Sequence, residues 1–390
     1  MMHPDDALRL ISSQPVEILP DDPEEAPLDQ ALGRVLARDL AAAFDQPPFD
    51  KSAMDGFAWG GEPRESYGII QTIAAGGSPP RPLAPGDCSR IMTGAPLPPG
   101  AERVHRVEWT EESSGRVRFT KIETGDNVIR RGENQRAGDL LLSRRLLRPS
   151  DIGILASSGY SAVPVQLRPV VGVISTGDEL RTVGESLAPG TIYDSNGPQL
   201  AAQALAAGCE VRSYGRLPDR LDPLDAAVRI GLGECDLLLL SGGVSLGDFD
   251  YIPEVLSKNG VEKLFHNLAM KPGKPTYLGR RGNTFVLGLP GNPVSTYVNF
   301  EIMAKAVLAR LRGLPVESRV VRARMADDIS RRDTERVEFL PVRYSAGEIH
   351  ALRYTGSSML NVLSEANALI RLEIGQAELE RGTETDARLL

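Results

Sequence analysis

The sequence predicts a multidomain protein of α/β-plus-β class built around a central parallel-sheet α/β domain. Three observations carry that expectation. At 390 residues the chain is longer than a single hydrophobic core usually spans. Residues 170–310 alternate strand-like and helix-like runs, the pattern of a parallel sheet covered by helices on both faces. The flanking stretches lack that alternation: residues 45–135 combine Pro and Gly with short β-type runs, and residues 315–390 read as strands and turns.

Four domains are expected on this basis. Residues 1–44 and 136–168 form a discontinuous helical and extended linking domain. Residues 45–135 form a β-rich domain inserted within it. Residues 169–314 are the α/β domain, and residues 315–390 a small C-terminal β-barrel. In the linking domain, LDQALGRVLARDL and PSDIGILASSGY carry apolar residues at helix spacing, and SAVPVQL is extended. RVHRVEW and RVRFTKI are the clearest strands of the insertion.

Within the α/β domain, PVVGVIS is a buried strand. GPQLAAQALAAG is a helix, with Asn196 as its N-cap and Pro198 in its first turn. EVRSYGRL is a strand, and Asp222 and Pro223 open the next helix. CDLLLLS is apolar throughout, as a central parallel strand should be. YIPEVLSKNG is a helix and NTFVLGLP a strand. Asn292 and Pro293 then start the helix NPVSTYVNFEIMAKAVLARL. Farther on, VEFLPVRY and EIHALRY flank SAGE as a hairpin, and ALIRLEI is another strand.

Composition narrows the function. The chain is 41% hydrophobic and 25% charged, with net charge −8, which argues against a nucleic-acid partner. No apolar run reaches the roughly 20 residues that cross a bilayer. MMHPDDALRL has neither a basic nor an apolar leader region, so a cytoplasmic protein with no membrane partner is expected. Cys88, Cys209 and Cys235 show neither a disulfide framework nor zinc-ligand spacing, and read as small buried hydrophobes. Arg130, Arg131, Arg136, Arg144, Arg145 and Arg148 are either a solvated surface or a basic arm that reaches an anionic ligand.

In an open α/β sheet, ligands bind beyond the carboxyl ends of the strands. Three loops there are unusual. TGDEL, residues 176–180, joins a hydroxyl, a glycine and two carboxylates. SGGVSLGDFD, residues 241–250, carries Gly242, Gly243 and Gly247, whose backbone N–H groups can form an anion-binding nest. GNPVS, residues 291–295, delivers a helix start to the same edge. MKPGKP adds Lys271 and Lys274, stiffened by Pro272 and Pro275. Neither standard phosphate-loop signature occurs. Glu179, Asp248 and Asp250 beside such a cradle point to Mg²⁺, a hard cation held by carboxylate and phosphate oxygens. In the insertion, the Asp55–Gly56 pair of SAMDGFAW reads equally as a hairpin turn or as a site, and IMTGAPLPPG is a rigid Thr-Gly turn.

PPFDKSAMDGFA, IMTGAPLPPG, NVIRRGENQRAG, STGDEL, YDSN, LSGGVSLGDFDY, MKPGKP and GLPGNPVS, in that order, resemble the successive motifs of the molybdopterin molybdenumtransferase family, to which the gephyrin C-terminal region is related. The resemblance implies insertion of molybdenum from molybdate into adenylyl-molybdopterin, with release of AMP and with Mg²⁺ as the metal. It implies a homodimer whose sites join the α/β domain of one subunit to the β-rich insertion of the other. It also extends the partners to the molybdopterin adenylyltransferase and recipient molybdoenzymes. By matching motifs, Asp55, Thr93, Glu179, Asp250 and Lys271 take the catalytic positions, and Glu179, Asp248 and Asp250 the metal. Ligand contacts fall to Ser52, Gly94, Ser175, Thr176, Gly177, Asp178, Ser241, Gly242, Gly243, Ser245, Gly247, Lys274, Pro275, Pro290, Gly291, Asn292, Pro293, Ser295 and Ser357.

The chain departs from the family pattern in places. Asn134 replaces a carboxylate, Asn267 a Lys or Arg, and Ser358 a glycine. Pro341 stands where EFxR supplies an arginine. Strand side chains repeat every two residues, so Arg343 is the expected substitute. Two other readings stay open: a divergent homologue that binds molybdopterin or a partner without inserting metal, and the sister adenylylation activity of a lone α/β domain.

Overall fold

The structure is a computed structural model that describes residues 1–18, 23–77, 80–244, 251–316 and 319–390. It divides into two compact units, residues 25–165 and residues 1–24 with 166–390. Helix α1 (Pro4–Ser13) belongs to the second: its apolar face, Ala7 and Ile11, is buried with Val307 and Leu311. Residues 1–24 therefore part from 25–44, with which the sequence pattern had grouped them.

The first unit holds a six-stranded sheet of β1 (Gly56–Trp59), β2 (Tyr67–Ile73), β3 (Asp87–Ile91), β4 (Arg103–Arg106), β5 (Thr110–Ser113) and β6 (Arg116–Phe119), in the order β4-β1-β3-β2-β6-β5. Trp59, Tyr67 and Phe119 pack as one aromatic group, the Tyr67 and Phe119 rings stacked at 5.0 Å. Gly56 is a strand residue, not half of a hairpin turn. A Cβ there would lie 2.0 Å from the His105 carbonyl oxygen of the neighbouring strand, so only glycine permits the pairing.

A second cluster in this unit gathers Leu36, Leu40, Leu142, Leu147, Val163 and Leu155, the last from α2 (Pro149–Ser157). LDQALGRVLARDL does not form the expected helix. It makes one 3₁₀ turn, Leu28–Gln30, then extends, with Val35 bridged to Leu146 and Leu36 to Val165. Gly33 stands between them at φ 72°, a conformation no right-handed helix contains. Burying Val35 and Leu36 against extended chain overrides the helix spacing. The arginines of residues 130–148 are largely spent on neighbours: Arg130 on Asp50 and Asp126, Arg131 on Asp45, Arg145 and Arg148 on Asp151. That favours the surface reading over a basic arm.

The second unit is built on β7 (Val170–Thr176), α3 (Asn196–Ala206), β8 (Glu210–Leu217), α4 (Leu221–Glu234), β9 (Leu237–Ser241), α5 (Ile252–Lys258), β10 (Glu262–His266), β11 (Met270–Lys271), β12 (Tyr277–Arg281), β13 (Thr284–Leu289), α6 (Pro293–Asn299) and α7 (Lys305–Arg312). The sheet order is β8-β7-β9-β13-β12-β10. The first four strands are parallel, as expected, and β12 and β10 add an antiparallel edge. A π-helical turn, Phe300–Ala304, joins α6 to α7. Apolar side chains of β7, β9 and β13 pack against α3, α6 and α7 on one face and α4 and α5 on the other.

The C-terminal strands β14 (Val320–Met325), β15 (Val337–Ser345), β16 (Glu348–Ala351), β17 (Ala368–Leu372) and β18 (Glu384–Leu389) pair in the cycle β15-β16-β14-β18-β17-β15. That closes a small five-stranded barrel around Met325, Val342, Ile349, Ile370 and Ala387. Strand β11 adds to it, pairing in parallel with β15. Cys88, Cys209 and Cys235 are buried free thiols, as expected. Among the described residues no helix is long and apolar enough to cross a membrane.

Candidate functional site

The carboxyl ends of β7, β9 and β13 lie side by side, with Ser175 opposite Ser241 and Ser241 opposite Leu289. The three unusual loops therefore start from one line. Gly242 is where they meet. Its N–H donates to the Leu289 carbonyl at 3.1 Å, and at φ 94° a Cβ would come within 2.4 Å of the Thr176 carbonyl oxygen. Only glycine lets the β9 loop pass that close.

Asn196 ties the loops together. Expected as a helix cap, it is instead the first residue of α3, and its amide turns back to the sheet. Nδ2 donates to Ser241 Oγ at 2.8 Å and to the Gly291 carbonyl at 2.7 Å. Its Oδ1, and Ser175 Oγ beside it, are buried without a hydrogen-bond partner among the described residues. Thr296 Oγ1 donates to the Pro290 and Asn292 carbonyls, closing the GLPGNP turn onto α6.

Beyond these strand ends is a cavity of about 660 Å³. Of the residues expected from the sequence, Glu179, Gly243, Pro275, Pro290, Gly291, Asn292 and Pro293 line it. Leu180, Ile192, Tyr193, Asp194, Ser195, Asn196, Val244, Ser358 and Leu360 complete the lining. Most of this second group falls in or beside YDSN, whose signal was the motif itself rather than any single side chain. Ser175, Thr176 and Ser241 are buried at the strand ends, and Gly177 is buried there with them, while Asp178 is exposed. Ser295 is buried in α6 and Ser357 accepts from the Val294 N–H through its carbonyl. Ser245, Gly247, Asp248 and Asp250 lie outside the described residues.

Asp219, which no sequence motif singles out, lies two residues beyond the end of β8, near Asp178 and Glu179. Its N–H donates to Asp178 Oδ1 at 3.3 Å. Burial, then the charges of Asp178 and Glu179, push its carboxyl above the ordinary 3.8, against the pull of the nearby Thr176 hydroxyl. The Glu179 carboxylate makes no hydrogen bond or ion pair with the described residues.

The MKPGKP loop is held from beneath. Thr276 Oγ1 donates to the Gly273 carbonyl at 2.7 Å and to Asn299 Oδ1 at 2.8 Å; Asn299 Nδ2 donates to the Ser295 carbonyl at 2.8 Å. Asn267, at φ 72°, closes the loop with its N–H on the Thr276 carbonyl. Asparagine tolerates that left-handed conformation better than the Lys or Arg it replaces. Lys271 pairs with Glu338 of β15 at 2.9 Å, and Lys274 is exposed. Pro341 is buried in β15 opposite Leu369; Arg343 is exposed opposite His350 and outside the cavity lining.

In the unit of residues 25–165, Asp55 and Thr93 form one exposed pair. The Thr93 N–H and hydroxyl both donate to Asp55 Oδ1, each at 2.7 Å, and hold its carboxyl below the ordinary range. Ser52 Oγ donates to the Met54 carbonyl at 2.5 Å, and its own carbonyl accepts from Gly94 at φ 80°. Asn134 is exposed, its N–H donating to the Gln46 carbonyl.

Comparison with known proteins matches three family models along the chain. Residues 2–159 match the MoeA N-terminal region (domain I and II), residues 172–310 a probable molybdopterin binding domain, and residues 322–390 the MoeA C-terminal region (domain IV). The molybdopterin molybdenumtransferase of Bacillus subtilis (strain 168) is 35% identical over 382 residues, covering 93% of this chain and 89% of the relative. That of Staphylococcus epidermidis is 33% identical over 376 residues, covering 93% and 90%. A crystal structure of the molybdopterin biosynthesis moeA protein from Pyrococcus horikoshii OT3 superposes with a TM-score of 0.86 at 29% identity, covering 100% of both chains.

Proposed function

This chain belongs to the molybdopterin molybdenumtransferase family, enzymes of molybdenum cofactor biosynthesis, and from that premise we propose that it inserts molybdenum from molybdate into adenylyl-molybdopterin and releases AMP. The observation that carries this reading is the cavity of about 660 Å³ at the strand ends, with the MKPGKP loop packed against α6 beside it. Its rim is largely main chain from glycine and proline turns, with Asn196 Oδ1 and Ser175 Oγ, buried and without a partner among the described residues, close by. Such a rim suits a polar, anionic ligand that approaches the backbone closely. Lys271 and Lys274 supply positive charge for molybdate, a tetrahedral dianion.

Departure of AMP leaves negative charge on phosphate oxygens, which a bound cation would offset. Mg²⁺ fits that donor chemistry. Glu179 offers a carboxylate at the cavity with no described partner, and Asp248 and Asp250 are the further ligands proposed from the sequence, although they lie outside the described residues. No cluster of three metal-ligating side chains occurs among the described residues. Bound there, Mg²⁺ would neutralise the pyrophosphate. Asp55 and Thr93 are proposed to complete the site of a partner subunit in a homodimer, and the molybdopterin adenylyltransferase and recipient molybdoenzymes are proposed as transient partners.

The test is direct. Purified protein is given adenylyl-molybdopterin, molybdate and Mg²⁺. Molybdate-dependent AMP release supports insertion. Tight binding of adenylyl-molybdopterin without AMP release supports the second reading, a binding homologue, which Pro341 in place of the arginine favours. Omitting Mg²⁺ is expected to abolish release, and light scattering checks the dimer.

A further inference from the structure

The barrel interior is apolar except at one end, where it holds a charged side chain. Along β15, Leu340, Val342 and Tyr344 point into the barrel core. Glu338 shares their side of the strand by the two-residue repeat and is 3% exposed. Burying a carboxylate is costly unless it is paired, and an apolar residue would serve the core at least as well. The pairing is specific. Lys271 stands opposite Glu338 in the β11–β15 ladder, and its Nζ lies 2.9 Å from Glu338 Oε1. Arg331 Nη1 lies 3.3 Å from Oε2.

Arg331 is itself immobilised. Its guanidinium donates to the carbonyls of Arg336, Gln376 and Glu373 and its side chain is 5% exposed. One oxygen of Glu338 is therefore held by a fixed cation, and the other is presented to Lys271. The ammonium has three N–H donors and Glu338 takes one direction, while the Lys271 side chain stays 39% exposed. The remaining donors are open to a ligand. Lys274, three residues on, has no comparable tether among the described residues.

We propose that Glu338 is a positioning residue: braced by Arg331, it fixes the Lys271 ammonium for an oxyanion at the MKPGKP loop, so that the C-terminal barrel contributes to the site. The inference deepens the function proposed above and rests on it. It carries a sign that distinguishes positioning from mere charge balance. If Glu338 only offset positive charge, removing its charge would strengthen binding of a dianion. If it positions Lys271, removal weakens binding.

The experiment measures molybdate saturation of AMP release in the full chain for Glu338→Gln, Glu338→Asp and Arg331→Lys. Glu338→Gln is expected to raise the molybdate KM by about tenfold, as loss of one charge-assisted hydrogen bond implies, and to change kcat far less. The shorter Glu338→Asp and the less well braced Arg331→Lys fall between it and the wild type. An unchanged or lowered KM in a Glu338→Gln protein that melts like the wild type overturns the proposal. A second readout needs no turnover. Limited acetylation with acetic anhydride, read by peptide mass spectrometry, should label Lys271 more slowly than Lys274 in the wild type and level the two in Glu338→Gln. Unchanged relative labelling overturns the tether even if the enzyme is active. If the wild type releases no AMP, the functional reading fails while the labelling still decides the tether; levelled labelling supports it.

Discussion

Gly273 lies directly against Asn299: a Cβ on the glycine would come 2.0 Å from Asn299 Nδ2 and 3.0 Å from the Met270 terminal methyl. Gly273 also has φ 108°, where a side chain is strained whatever the space. The asparagine amide cannot retreat, because it bonds the Ser295 carbonyl and the Thr276 hydroxyl in a fully buried network. Gly273→Ala is expected to destabilise the unit by about 2–4 kcal/mol, read as a lowered denaturation midpoint. Asn299→Ala removes the same brace without the clash and should cost less, about 1–3 kcal/mol. Equal and negligible effects would mean that the loop is not held from α6.

Asn196→Ala should loosen the site rather than the core. The side chain bridges Ser241 of β9 and Gly291 of the β13 loop, and Ser241 keeps its own ladder pairing with Leu289 without it. Two lost hydrogen bonds predict about 1–3 kcal/mol of stability. The greater effect falls on adenylyl-molybdopterin, whose binding should weaken at least tenfold by isothermal calorimetry if the cavity is its site. Asn196→Asp is the sharper probe. Its carboxylate turns a donor into an acceptor facing the Gly291 carbonyl oxygen, so it should bind worse than the alanine variant.

The strand–helix alternation of the α/β domain was readable because its central strands Val170–Thr176 and Leu237–Ser241 are largely apolar runs and the helices open on Asp, Asn or Pro signals. The antiparallel edge was not: Glu262–His266 and Tyr277–Arg281 are short and half charged, as edge strands often are. LDQALGRVLARDL misled because Leu28, Val35, Leu36 and Leu40 keep helix spacing while Gly33 and extended neighbours decide the conformation. The site was legible as loops but not as contacts. Asn196 looked like a cap, Asn299 like an ordinary helix residue, and Glu338 was one unremarked residue of the VEFLPVRY strand. Each acts through a partner between 23 and 95 residues away (Thr276 to Asn299, Ser241 and Gly291 to Asn196, Lys271 to Glu338), which no local pattern displays.

Asp219 predicts a pH dependence of definite sign. Its carboxyl is raised above 3.8 in the folded protein by burial and by Asp178 and Glu179. The folded state therefore disfavours the charged form, and this group's contribution becomes destabilising as pH rises above 3.8. Asp219→Asn should melt at a higher temperature than the wild type at about pH 7, and the gain should vanish at acidities where both states of the wild type hold the proton. Melting curves over that range check it. A gain that persists at the acid end would show that the effect is not ionisation. If Asp219 serves the reaction, the stabilised variant should also turn over more slowly, since strained charges at functional sites are commonly kept at the expense of stability.

Arg343 is the position at which spacing and structure part. It lies two residues beyond Pro341 on the same side of β15, about 7 Å along the strand. That spacing made it the natural replacement for the missing arginine. Its surroundings argue otherwise. It pairs across the ladder with His350 and is exposed, whereas Lys271, on the loop whose Pro275 lines the cavity, is joined to β15 at Glu338, about 17 Å back along the strand. Arg343→Ala is therefore expected to change the molybdate KM by less than about twofold, and Lys274→Ala by about tenfold or more, the difference between a remote charge and one on the ligand loop. Saturation curves for the two variants decide it. A tenfold rise for Arg343→Ala would mean that the arginine of the family has moved two residues along the strand. A flat response for both would remove the lysine loop from molybdate recognition and favour the binding homologue over the transferase.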